Sequence, residues 1–147
     1  MPALVEQIST EPVPTNARAV FAYDSSTSIV VPKMMVVDMT AATNLSYSFA
    51  YCSMTSLSLP AGFGQKAINL SSCFGKCTAL KTITGNPNFK VSFSLSDSTE
   101  LTHDSIMVVI NGLQTVKDQT LTLGTTNLAK LTDDEKKVAT DKGWTLA

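Results

Sequence analysis

His103-Asp104-Ser105 places the three residue types of a hydrolase triad side by side. Such catalysis needs a hydroxyl, a base and an orienting carboxylate converging from separate segments. Adjacent residues cannot converge, so the run reads as the first turn of a helix, where Asp104 suits the positive end of the dipole. The cysteines are the next candidates. Cys73 and Cys77 lie four residues apart, with Cys52 one repeat earlier. A zinc site needs further ligands of the right kind, and His103 is the single histidine. The expectation is no metal and no cofactor, with reduced thiols in an apolar interior. Three cysteines do not build a disulfide framework, although stacked turns would bring Cys52 and Cys77 within bonding reach. Gly62-Phe63-Gly64 lacks the Gly-Lys-Ser/Thr continuation of a phosphate loop and reads as a turn. No acid, base and nucleophile converge in this reading, so the chain is expected to have no catalytic residues and to be no enzyme.

The elements that position these residues come from a repeat. Asn44-Leu45-Ser46-Tyr47-Ser48-Phe49-Ala50-Tyr51-Cys52 is echoed by Asn69-Leu70-Ser71-Ser72-Cys73-Phe74-Gly75-Lys76-Cys77. The period of about 25 residues is that of a solenoid. A unit this small buries its apolar face only by stacking on its neighbours. Leu45, Phe49, Leu70 and Phe74 are therefore interior. Tyr47, Tyr51 and Phe63 divide between core and surface. Asn44 and Asn69 begin Asn-x-Ser acceptor patterns for glycosylation; the repeat explains them as stacked asparagines serving backbone groups at the turn corners.

Along the chain, Pro2, Pro12, Pro14 and Pro32 break residues 1–33 into short pieces. Leu4 to Ile8 forms a turn of helix or a strand, and Thr10 to Asn16 is extended. Ala19–Tyr23 and Ser28–Val31 flank Asp24-Ser25-Ser26-Thr27, which predicts a hairpin. Strands follow at Met34–Met39, Leu57–Leu59, Thr82–Thr84 and Val91–Leu95. Thr102 caps a helix whose Ile106, Val109 and Ile110 face the sheet. Gly112 ends it in the left-handed region, with Leu113 folding back onto Val108. Thr120–Leu123 is a strand stopped by Gly124. Thr132 and Glu135 make a capping box for a helix reaching about Lys142, and Gly143 stops it before a last strand, Trp144-Thr145-Leu146.

Charged residues are 16% of the 147, below the usual quarter, so serine and threonine carry the polar surface. The net charge of −1 offers no basic footprint for nucleic acid. No apolar run has the length of a membrane span, and Met1-Pro2-Ala3-Leu4-Val5-Glu6 is not the start of a signal peptide.

Phe49-Ala50-Tyr51-Cys52-Ser53-Met54-Thr55-Ser56-Leu57 and Cys73-Phe74-Gly75-Lys76-Cys77-Thr78-Ala79-Leu80 resemble the F-x-x-C-x-x-L repeats of BspA-like leucine-rich-repeat proteins. Residues 86–147 are similar to a C-terminal module common in that group among gut Bacteroidetes and their phages. The features that carry this are Val91–Ser96, Leu101–Ser105, Ile110-Asn111-Gly112-Leu113 and Lys142–Leu146. The resemblance covers roughly residues 34–147. It departs from the pattern in being one residue short between Cys52 and its strand, and in having few repeats, which points to a compact module.

The fold expected is therefore α/β: a short leucine-rich-repeat solenoid over residues 34–147 with a stacked parallel sheet and two C-terminal helices. Residues 1–33 form an N-terminal β/extended arm, a cap or an attachment segment. The resemblance implies a non-enzymatic structural or recognition protein of a phage virion, a capsid or tail decoration or a fibre, with a bacterial cell-surface adhesin as the alternative. Expected partners are other virion proteins and a host-surface protein or glycan, with a homotrimer by analogy. Tyr23, Ser56, Ser58, Lys81 and Thr82 are the expected interaction residues.

Overall fold

A computed structural model describes residues 15–33 and 38–147. Residues 34–37 of the expected strand Met34–Met39 and the expected elements of residues 1–14 lie outside the described residues; Asp38 makes a single bridge and Met39 lies in a turn. The described chain is mixed α/β, with two parallel three-stranded sheets and three helices. Strands β1 (Ser28–Val30), β2 (Ser56–Leu59) and β3 (Thr82–Gly85) form the first sheet in chain order. Strands β4 (Phe93–Ser94), β5 (Gln119–Thr122) and β6 (Trp144–Leu146) form the second. The helices are α1 (His103–Asn111), α2 (Gly124–Leu128) and α3 (Asp133–Asp141).

Side-chain alternation sets the first sheet. Ile29, Leu57 and Ile83 are in register and buried. Their neighbours Ser28, Ser56 and Thr82 pair on the opposite face, as do Val30, Ser58 and Thr84. A one-residue slip would exchange the two faces.

The pairing of β1 corrects the expected hairpin. Residues 18–23 are turns, and β1 pairs in parallel with β2. Pairing extends along the segment that precedes β1. Asn16 bridges Asn44, which bridges Asn69. The amides of Ala17, Ala19, Phe21 and Tyr23 donate to the carbonyls of Asn44, Ser46, Ser48 and Ala50. Those of Leu45, Tyr47, Phe49 and Tyr51 donate to Asn69, Ser71, Cys73 and Gly75 in the same way. Residues 15–31 thus stack on residues 43–59 as those stack on the segment after them. Each asparagine Oδ1 accepts the N–H two residues on, at 3.0 Å in all three cases, the side-chain turn that asparagine favours.

Stacked phenyl rings line the interior. Phe21, Phe49 and Phe74 lie 5.3 and 5.6 Å apart, within 7° of parallel. The contacts continue through Phe93, 6.0 Å from Phe74 and 6.2 Å from Trp144. Phe63 and Phe89 flank this row and are fully buried.

The C-terminal half follows the expected helices closely. Thr102 Oγ1 caps α1 by accepting Ser105 N–H, and Ile106, Val109 and Ile110 are buried. The capping box of α3 is closed on both sides: Glu135 N–H to Thr132 Oγ1 at 3.2 Å and Thr132 N–H to Glu135 at 2.9 Å. Two details differ. Gly112 has φ −85° and is not left-handed; glycine is needed because a Cβ there would lie 2.4 Å from the carbonyl oxygen of Pro87. The described residues form three helices, because Gly124 (φ +79°) opens the short α2 and does not merely end β5. α2 is anchored by buried Asn127, whose amide donates to the carbonyls of Leu95, Ser98 and Leu123. The strand expected over Val91–Leu95 is reduced to β4.

Candidate recognition surface

Stacking of the turns decides which side chains face solvent. Each of the first two units has two non-glycine residues in the left-handed region: Ala19 and Tyr23, then Tyr47 and Tyr51. Ser72 and Lys76 hold these positions in the third. Such a backbone costs roughly 1–2 kcal/mol per residue. The inter-unit hydrogen bonds over-determine it here, since Ala19, Tyr23, Tyr47 and Tyr51 all donate to the next unit. Glycine would relieve the strain, so tyrosine at three of these sites draws attention to the side chain.

The chain has three tyrosines and one arginine, and all four lie on this face. Tyr23 and Tyr51 stack at 4.9 Å and 2°, and are 73% and 51% exposed. Arg18 lies over the ring of Tyr47 at 5.0 Å, and Tyr47 is 41% exposed. Ala19, Ala22 and Ala50 floor a concavity of about 410 Å³ between them. Their small side chains leave room for it. Among the described residues, neither the tyrosine hydroxyls nor the Arg18 guanidinium have a hydrogen-bond or ion-pair partner. The nearby Asp24 carboxylate is turned onto Ser26 N–H at 2.7 Å. Hydrogen bonds from Ser26 hold its carboxyl below the usual range.

The expected interaction residues fall in two places. Ser56, Ser58 and Thr82 share the outer face of the first sheet, half-buried, and exposed Lys81 precedes β3. Tyr23 is not with them; it belongs to the turn rows. Reasoning from sequence missed Arg18 and the unit that carries it. The signal was present: Asn16, Phe21, Ala22, Tyr23, Thr27 and Ser28 recur in order as Asn44, Phe49, Ala50, Tyr51, Thr55 and Ser56. Alanine at 17 and aspartate at 24, in place of the leucine and cysteine of the later units, hid it.

The other chemistry-bearing residues are built into the scaffold. Ser105 is buried; its Oγ accepts the N–H of Ile83 at 2.9 Å and lies 3.1 Å from the carbonyl of Lys81. Where a fourth strand would pair with β3, the start of α1 closes the sheet. His103 Nε2 meets Glu135, and Nδ1 lies 3.1 Å from Asp104. The bond to Glu135, then that to Asp104, raises the His103 pKa. Cys52 and Cys77 occupy equivalent interior slots, donating to the carbonyls of Phe21 and Phe49 at 2.9 Å. All three thiols are free and buried. Burial raises Cys52, pushes Cys77 up to about 12 and lifts Cys73 well above the ordinary thiol range. Among the described residues no group of histidine, cysteine and carboxylates gathers as for a metal ion. No described helix is long and apolar enough to cross a membrane.

A second concavity, about 320 Å³, lies where the turn after β3 meets the end of α1, among Asn86, Asn88 and Asn111. It has neither an aromatic ring nor a charge. Compared with known proteins, the chain matches no family model, no curated protein and no solved structure.

Proposed function

We propose that this chain is a non-enzymatic recognition module of a phage virion, built as a short leucine-rich-repeat solenoid of the BspA-like kind. In-register stacking of residues 15–31, 43–59 and 68–85 and the row of parallel phenyl rings support the solenoid reading. The observation that carries the recognition reading is the gathering of every tyrosine and the single arginine on one solvent-facing surface. Tyrosine and arginine are the residues that most often dominate binding energy at contact surfaces. The virion setting rests on the likeness of residues 86–147 to the phage-borne module. With residues 15–31 part of the stack, the attachment role falls to residues 1–14, which dock on other virion proteins; a homotrimer remains the arrangement proposed by analogy.

Fractionation of the source culture into phage particles, cell envelope and cytosol, with quantitative mass spectrometry of this chain, tests the setting. The expected result is enrichment in particles, lost on deletion of residues 1–14. Enrichment in the envelope instead would establish the adhesin alternative. A purely cytosolic chain would sink both.

A further inference from the structure

We propose that the concavity ringed by Arg18, Tyr23, Tyr47 and Tyr51 binds an acidic saccharide, with sugar rings against tyrosine and a sugar carboxylate on Arg18. The proposal rests on the recognition reading above and names its ligand class. Three features of the surface select this chemistry.

The first is size. A concavity of about 410 Å³ is at the lower end of small-ligand sites and holds one or two sugar rings. A stable protein interface needs more than about 1,000 Å² of buried surface, and the large apolar groups exposed on these turns are only Val20 and the three tyrosines.

The second is the mixture of groups. Tyr23 and Tyr51 cover each other's facing sides, so a ligand meets outer ring faces, edges and hydroxyls. The C–H face of a pyranose is apolar and suits the electron-rich face of an aromatic ring. The sugar hydroxyls suit tyrosine hydroxyls that have no partner among the described residues. An apolar peptide anchor would bury those hydroxyls unpaired, which costs about 1–3 kcal/mol each.

The third is charge. The planar guanidinium of Arg18 presents a donor fork to a carboxylate. It is held over the Tyr47 ring, and the nearest acid in sequence, Asp24, is engaged by Ser26. A lone arginine on a chain of net charge −1 does not suit a polyanionic nucleic acid, whose affinity comes from many phosphate contacts.

The test uses the full chain in calorimetric titration against four probes: trigalacturonate and sialyllactose as acidic saccharides, and maltotriose and lactose as neutral ones. The expected result is a Kd on the order of 1 mM or tighter for at least one acidic probe, with neutral probes about tenfold weaker. Arg18→Gln should remove the preference for the acidic probe. Tyr23→Asn and Tyr51→Asn, which keep a residue that tolerates the left-handed backbone, should each weaken binding about tenfold, with unchanged thermal unfolding. Absence of binding to all four probes at 10-fold above that Kd overturns the proposal, as does wild-type binding by Arg18→Gln and Tyr23→Asn. A chain that joins particles but binds none of the probes sinks the saccharide proposal alone; a cytosolic chain sinks the recognition reading beneath it.

Discussion

Ser105 shows how a residue that invites a catalytic reading is used by a scaffold. Its hydroxyl completes the hydrogen bonding of Ile83 at the edge of the first sheet, a backbone donor that needs a partner because it is buried. Ser105→Ala should therefore destabilise the protein by about 1–3 kcal/mol, measured by urea denaturation, whereas removing the exposed Asp104 carboxylate should change little. The thiols make a second test. Deprotonation is opposed by burial at all three, and the thiolate is the reactive form. Native protein at pH 7 should react slowly with a disulfide reagent, and all three cysteines should react at once in denaturant. Rapid native labelling of any one would show that it is not sealed in the interior.

At the scale of elements, α1 and α3 are joined where His103 meets Glu135, the residue that also completes the capping box of α3. The His103 pKa is raised above 6.5, chiefly by the Glu135 bond. That contribution to stability is complete below pH 6.5 and fades as pH rises through the folded value. Glu135 is lowered below 4.5, first by the Thr132 backbone N–H and then by His103. Its contribution is present above pH 4.5 and fades as pH falls through the folded value. Both hold between pH 4.5 and 6.5. The Tm difference between wild type and His103→Gln should peak in that window and shrink on either side; a difference independent of pH would mean the pair contributes nothing through charge. Thr132→Ala removes the cap itself and should cost about 1 kcal/mol at every pH above the Glu135 transition.

The whole molecule depends on units that share one interior. Phe49 touches Phe21, Phe63 and Phe74, so Phe49→Ala should cost about 3–5 kcal/mol and shift a single unfolding transition. A variant that lost only the signal of the first unit would instead show that the units unfold independently. Deleting residues 1–30 takes away Ala17, Phe21 and Ile29 from the core and strips β2 of one of its two partners; it should unfold or aggregate. This is why particle attachment is to be tested with residues 1–14 alone.

Local chemistry was legible from the residues themselves. The Thr102 cap and buried stripe of α1 and the capping box of α3 follow from short-range patterns, because caps and helical periodicity act over a few residues. The first unit was less legible. Its Ala17 and Asp24 break the motif, and only the hydrogen bonds that Ala19 and Tyr23 donate to the next unit hold them in a left-handed backbone. The same holds for the candidate site. Tyr23, Tyr47, Tyr51 and Arg18 are spread over two units, and only stacking sets them around one concavity. Gly112 makes the point in miniature: its place after a helix suggested a left-handed turn, but the deciding constraint is the backbone of Pro87, a neighbour that only the tertiary fold brings near.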